Sequence, residues 1–359
     1  MNTGEIPLAR GYFEKINHVD NKLQIQGWMF RSVLNLKKGF FPRKSADCGL
    51  DKILIILSND KIYQTNAIDR KDVRQVFSSI EKANQSGFYI EIPLSEKDAY
   101  ETNTISAVGI RGGENVCRMD TWYSKKWVLN TSVPATLMKR VANTENNGFF
   151  IASSYKSFYD YFNLLRKHIP VNEIHRMLDW GCGCGRLIMT LARATGIPEI
   201  CGCDVDEEAI EWCRLTYANQ PNLKFSIVPF NPPTAYKSES FDVVLANSVL
   251  THLSKKSQMD WLSEISRILK PGGFFIASIH GESATFYNFG TDPGNILQSG
   301  IFDENMDDNL KGIAPEGYYR GTFQSREYTE NTYGDFFKIR EYVKMGSMNF
   351  QDMVLMQKD

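Results

Sequence analysis

The stretch Met177-Leu178-Asp179-Trp180-Gly181-Cys182-Gly183-Cys184-Gly185-Arg186 sets a carboxylate at the end of a short apolar run, with three alternating glycines behind it. An acid there suits a ligand that carries an ammonium group. Glycines let the backbone approach a ligand closely at the first strand-to-helix turn, where open α/β sheets bind nucleotides. Leu187, Ile188, Leu191, Ala192 and Thr195 predict the helix that follows, stopped at Gly196. A dinucleotide fingerprint begun at Gly181 needs Gly or Ala at 186, where Arg186 stands, and one begun at Gly183 fails at Ile188. The turn therefore predicts a nucleotide-like ligand without a pyrophosphate, touching Asp179, Gly181, Cys182, Gly183 and Gly185.

Other residues complete such a site. Asp204, followed by Val205, ends the run Ile200-Cys201-Gly202-Cys203 and lies 23 residues after Gly181. At that spacing an acid meets ribose hydroxyls, and a carboxylate accepts both hydrogen bonds of a cis-diol. Asp206 precedes a helix bearing Ile210, Cys213 and Tyr217 on one stripe, and reads as its N-cap. Asn231, in Pro229-Phe230-Asn231-Pro232-Pro233, offers an amide oxygen to an amine. Asn247 lies in the expected strand Phe241–Val249. Of the five histidines, His252 and His280 follow predicted strands at the ligand edge of the sheet. A positioned His is the usual general base. His280 ends its strand directly, before Gly281-Glu282, and is expected to be the base or an acceptor ligand. His252 is the second candidate, and Glu282, Tyr318 and Tyr319 are further acceptor contacts.

From about residue 174 to 282, strands alternate with amphipathic helices, the pattern of a parallel doubly wound sheet. The acid-x-Gly-x-Gly-x-Gly turn, Phe241-Asp242-Val243-Val244-Leu245-Ala246-Asn247 and Lys270-Pro271-Gly272-Gly273 stand in the order of class I S-adenosylmethionine-dependent methyltransferases, which this region resembles. The resemblance implies a seven-stranded Rossmann-like sheet, closed by an antiparallel pair at Phe336–Val343 and Asp352–Gln357, and S-adenosyl-L-methionine as cofactor. Relatives often carry an Asp on the adenine amino group where this chain has Asn231. The tail, Gly317–Tyr328 and Asn349-Phe350-Gln351-Asp352, is similar to a branch associated with glycan and small-molecule biosynthesis, in which His often stands where Phe350 does. The implied reaction is methyl transfer to a small hydroxylated acceptor, a sugar or glycan precursor, with O-methylation as the default. The alternatives are C- or N-methylation and a non-catalytic methyltransferase-fold scaffold.

Residues 1–128 show about seven short strands separated by turn signals, the pattern of an all-β sandwich. Asp69-Arg70-Lys71-Asp72-Val73 and Ser86-Gly87-Phe88 resemble a small sandwich module fused to enzymes of surface-sugar metabolism. Docking or homo-oligomerisation is its expected role. Residues 129–150 are polar and turn-rich and read as a linker, leaving 151–359 as the methyltransferase domain. Residues 283–316, rich in Gly, Asn and Asp, read as a substrate-side loop or lid.

Composition bounds the remainder. In 359 residues, 41 basic and 42 acidic side chains leave a net charge of −1, which argues against nucleic acid and anionic membranes as partners. No apolar run is long enough for a membrane span, and Met1–Pro7 lacks the head of a signal peptide, so a cytoplasmic protein is expected. Five of the seven cysteines fall between Cys182 and Cys213. Their Cys-x-Cys spacing fits small buried thiols better than a zinc site, and no metal is expected.

Overall fold

The computed structural model describes residues 6–32, 48–128, 132–290 and 292–359. The chain divides into two compact units, Met1–Val128 with Gly148–Tyr159, and Leu129–Asn147 with Asp160–Asp359. Among the described residues, no helix is long and apolar enough to cross a membrane. All seven cysteines are buried.

The first unit contains β1 (Ala9–Val19), β2 (Lys22–Arg31), β3 (Lys52–Leu57), β4 (Ile62–Asn66), β5 (Ile68–Asp69), β6 (Gln85–Pro93), β7 (Asn103–Arg111) and β8 (Glu114–Tyr123). They form two four-stranded antiparallel sheets, ordered β1-β2-β6-β5 and β4-β3-β7-β8. Val19 pairs with Lys22 across Asp20 and Asn21, both at positive φ, the conformation a two-residue hairpin demands. Phe13, Leu23, Ile25, Phe88, Ile53, Ile55 and Ala107 are buried. Arg70, in the segment singled out above, forks onto Glu14 at 2.7 and 2.9 Å and also binds Asp72.

The second unit carries β9 (Arg176–Trp180), β10 (Glu199–Asp204), β11 (Leu223–Ile227), β12 (Phe241–Ala246), β13 (Leu269–Ile279), β14 (Ile301–Met306), β15 (Arg320–Gln324), β16 (Lys338–Ser347) and β17 (Gln351–Gln357). Seven of them form one sheet, ordered β11-β10-β9-β12-β13-β17-β16. The first five run parallel, and β17 is antiparallel to both its neighbours. Val243, Val244, Leu245 and Ala246 are fully buried, as expected of a strand covered on both faces. The chain leaves β9 towards β10 and β11, then returns to the other side of β9 with β12. That reversal opens a crevice at the carboxyl ends of the strands.

Three sequence boundaries change. Within the expected linker 129–150, residues 129–131 lie outside the described residues, and Ala135–Ala142 is a helix of the second unit. Its Leu137 and Met138 are buried, so the segment packs where its polar composition suggested free chain. The expected loop 283–316 holds the helices Glu282–Phe289 and Pro293–Ile296 and the strand β14, which pairs with β15. Each is too short to print a period through the intervening turns. The closing strands begin at Lys338 and Gln351.

At the end of the sheet away from the crevice, Asp242 accepts from the His175 and Arg176 amides at 2.9 and 2.7 Å and from Lys270 Nζ at 2.6 Å. These donors hold its carboxyl below the usual range. Asp242→Ala leaves two amides unpaired and should lower urea stability by about 1–3 kcal/mol. A depressed carboxylate stabilises only above its unfolded pKa. Repeating the titration as pH falls through the carboxylate range should therefore erase the difference between wild type and variant.

Candidate functional site

The crevice is a cleft of about 980 Å³, its open mouth included. Asp179, Gly181, Cys182, Gly183, Asp204, Val205, Asn247, His252, Tyr318 and Tyr319 all line it. Its form begins in the glycine turn. Gly181 and Gly183 sit at φ +74° and +52°, and a Cβ at either would stand 2.4 and 2.5 Å from Val249 and Val141. Only glycine takes such a backbone without strain. The Gly181 and Cys182 amides donate to the Cys203 carbonyl at 2.8 and 3.0 Å, and Gly183 N donates to Asp204 Oδ2 at 2.7 Å. The turn is thereby stitched to the end of β10.

Two carboxylates differ in how they are satisfied. Asp204 accepts from Gly183 N and, at 2.9 Å, from Asp206 N, and burial pushes its carboxyl up. Asp179 is 1% exposed, and neither of its oxygens has a hydrogen-bond partner. Burial drives its pKa up to about 7, opposed by Arg186 and reinforced by Asp204. An ionised acid buried without a partner is unstable unless a cation or strong donor meets it. Asp206 caps its helix through Ala209 N at 3.2 Å, as expected, and also holds Arg140 at 2.9 Å.

His252 occupies a one-turn helix, Leu250–His252, after β12. Its Nδ1 lies 2.9 Å from the Arg320 carbonyl and 3.7 Å from Asp307 Oδ2, and its ring stacks on Tyr319 at 4.1 Å. A carbonyl only accepts, so Nδ1 carries the hydrogen and Nε2 has the free lone pair. Burial lowers the His252 pKa, and Asp307 opposes that.

Four expected site residues fall elsewhere. His280 is buried outside the cleft wall, stacked on Phe323 at 4.8 Å with its ring 6.1 Å from that of His252. Burial takes its pKa down to about 3, so it stays neutral and is a poor proton acceptor. Glu282 opens the helix Glu282–Phe289, faces Lys344 at 3.8 Å and does not line the cleft. Asn231 is exposed and off the cleft, because the preceding Phe230 carbonyl takes the inward bonds, from Trp261 Nε1 at 3.3 Å and Tyr318 OH at 2.5 Å. Gly185 packs against Cys213 and Tyr217, where a Cβ would stand 3.3 Å from each.

Conversely, Arg140, Val141, Trp180, Arg186, Val228, Trp261 and Leu310 line the cleft without having been singled out as ligand contacts. For Arg140 and Val141 a signal existed, since Leu137, Met138 and Val141 share a helical face. Among the described residues, no group of three or more His, Cys, Asp or Glu is placed to hold a metal ion.

Residues 177–273 match a family described as a methyltransferase domain. The chain is 32% identical over 104 residues to a fatty-acid O-methyltransferase of Mycolicibacterium smegmatis, spanning 29% of this chain and 36% of that protein. It is 29% identical over 113 residues to the methyltransferase GfsG of Streptomyces halstedii, spanning 30% and 39%. A bovine tRNA N(3)-cytidine methyltransferase, METTL2, is 26% identical over 114 residues, spanning 30% of each chain. The chain thus covers under two-fifths of the length of these relatives. A solved S-adenosylmethionine-dependent methyltransferase from Aquifex aeolicus aligns at TM-score 0.39 and 15% identity over 58% of this chain and 93% of that one. The presence of a tRNA methyltransferase among the relatives removes the ground for excluding nucleic acid on net charge alone.

Proposed function

We propose that this chain, whose residues 177–273 are a methyltransferase domain of the kind that uses S-adenosylmethionine, methylates the oxygen of a small hydroxylated acceptor. The observation that carries the reading is Asp179, a buried carboxylate without a partner at the floor of a glycine-lined cleft. Such a group fits the ammonium of an amino acid moiety, as Asp204 fits a ribose diol. The residues present therefore suit the cofactor, which when bound supplies a methyl group made electrophilic by a sulfonium sulfur.

The chain's own work is alignment and proton handling. Asp179 and Asp204 would fix the two ends of the cofactor. The Gly181–Gly183 backbone would lie along it, with Val205, Val228 and Asn247 as walls. Alignment of this kind is worth up to about 7–11 kcal/mol of a barrier in favourable systems. His252, on the cleft wall with Nε2 free, is placed to take the acceptor's proton, and Tyr318 and Tyr319 flank it. A sugar or glycan precursor remains the acceptor that the tail and the N-terminal unit favour. In this reading the N-terminal sheets serve docking or self-association, and the protein works in the cytoplasm.

Calorimetry on the full chain should show S-adenosylhomocysteine binding and no binding of a nicotinamide dinucleotide; the reverse would overturn the reading. With tritiated-methyl S-adenosylmethionine, a panel of sugars, nucleotide sugars, fatty acids and tRNA tests the acceptor. Label entering a hydroxylated small molecule is the expected result. Label confined to tRNA or to fatty acids would replace that acceptor class, and S-adenosylhomocysteine binding without turnover on any substrate would favour the scaffold alternative.

A further inference from the structure

The segment between β14 and β15 does more than wall the cleft. It supplies Leu310, Tyr318 and Tyr319 to the lining, and Asp307 stands behind His252. Several bonds hold it in place. Asp307 N donates to the Tyr319 carbonyl at 3.2 Å, Asp307 Oδ1 accepts from Asn309 N at 2.9 Å, and Arg320 Nη1 donates to the Asp303 carbonyl at 3.0 Å. Oδ2 remains directed at the His252 Nδ1 side, 3.7 Å away. The titratable groups facing His252 are thus Asp307 and Tyr319 from this segment and His280 from the end of β13. Only Asp307 can offer it a negative charge at neutral pH, because His280 is held neutral and burial pushes the Tyr319 hydroxyl's pKa up.

We propose that Asp307 is a positioning residue for His252, and that the pair serves an acceptor whose reacting oxygen still carries its proton. This rests on the methyl-transfer reading above. In the transfer, the acceptor O–C bond forms as the sulfonium C–S bond breaks, and the C–S electron pair stays on sulfur as a neutral thioether. The O–H proton passes to His252 Nε2. The Arg320 carbonyl fixes the tautomer before transfer, and the Asp307 carboxylate beside the same nitrogen stabilises the imidazolium formed after it. An acceptor that is already ionised, such as a carboxylate, would need neither group.

The test is a ¹⁵N-histidine titration of the full chain by NMR, with and without S-adenosylhomocysteine, using His252→Gln to assign the resonance. His252 should report hydrogen on Nδ1. Asp307→Asn should lower its titration midpoint by about one pH unit, since a carboxylate this close favours the cation. Asp307→Glu should restore part of that change, and both variants should bind S-adenosylhomocysteine as the wild type does. An unchanged midpoint in Asp307→Asn, or hydrogen on Nε2, overturns the pairing. Carboxylates labelled in preference to alcohols on the tritiated-methyl panel overturn the acceptor class. Failure of the wild type to bind S-adenosylhomocysteine defeats the methyl-transfer reading instead, and is distinguishable because the titration is also read without ligand.

Discussion

Asp179→Asn should bind S-adenosylhomocysteine about 10²–10⁴-fold more weakly than the wild-type chain, because removing one partner of a buried charge pair typically costs about 3–5 kcal/mol. Without ligand, the same variant should be the more stable protein. Burial raises the Asp179 carboxyl from 3.8 to about 7, which amounts to about 4 kcal/mol of destabilisation once the group ionises. An asparagine avoids that charge but buries an unpaired amide at about 1–3 kcal/mol. A net gain of about 1–3 kcal/mol in urea stability at pH 8 remains. The sign follows from the raised pKa: the native state holds this proton more tightly than the unfolded chain, so stability from this group falls as pH rises towards 7. At pH 5 the wild-type carboxyl is protonated and the advantage of the variant should disappear. Ligand affinity runs the other way. An ammonium needs the ionised acid, so wild-type affinity should fall between pH 8 and pH 6 as the carboxyl takes up its proton. Calorimetry at both pH values, with urea titrations beside it, checks all three. Equal affinity of variant and wild type would remove Asp179 from the site.

The legible parts of this protein are those in which one short stretch of sequence fixes both backbone and chemistry. The turn from Asp179 to Gly185 could be read because glycines at positive φ and an acid at a strand end have few other uses, and the structure sets Asp179, Gly181 and Gly183 in the cleft wall. Asp204 could be read from its spacing alone. Gly185 shows the limit of the same logic, because its missing Cβ admits Cys213 and Tyr217 and it does not line the cleft. Residues whose place depends on distant chain were not readable. Whether His252 or His280 faces the cleft is decided by Arg320, Phe323 and Gln351, which lie 43 to 71 residues along the sequence from the histidine each touches and come in from β15 and the first residue of β17. Asn231 is turned outward by bonds that end on the carbonyl of Phe230, and no side-chain pattern announces a carbonyl. Asp307 lay in a stretch without period, where short elements alternate with turns.

His252→Gln should lower turnover by about 10²–10⁴-fold at neutral pH on any alcohol the wild type methylates, the usual contribution of a positioned base. Affinity for S-adenosylhomocysteine should change little. His280→Gln should cost much less turnover, although His280 ends its strand more directly and was the stronger candidate from sequence. The difference is physical. His280 lies between Phe323 and Phe350, its Nδ1 is buried without a partner, and its pKa near 3 leaves little affinity for a proton at pH 7. His252 has the cleft on one side and a carbonyl and a carboxylate on the other. Its burial-lowered pKa keeps it neutral at pH 7, and Asp307 opposes that lowering. A base must be deprotonated to act, so wild-type kcat/KM should rise with pH through the His252 midpoint and then level. That limb should vanish in His252→Gln and persist in His280→Gln. The reverse pattern, with the limb lost only in His280→Gln, would move the base behind the aromatic wall and require the cleft to open there during turnover.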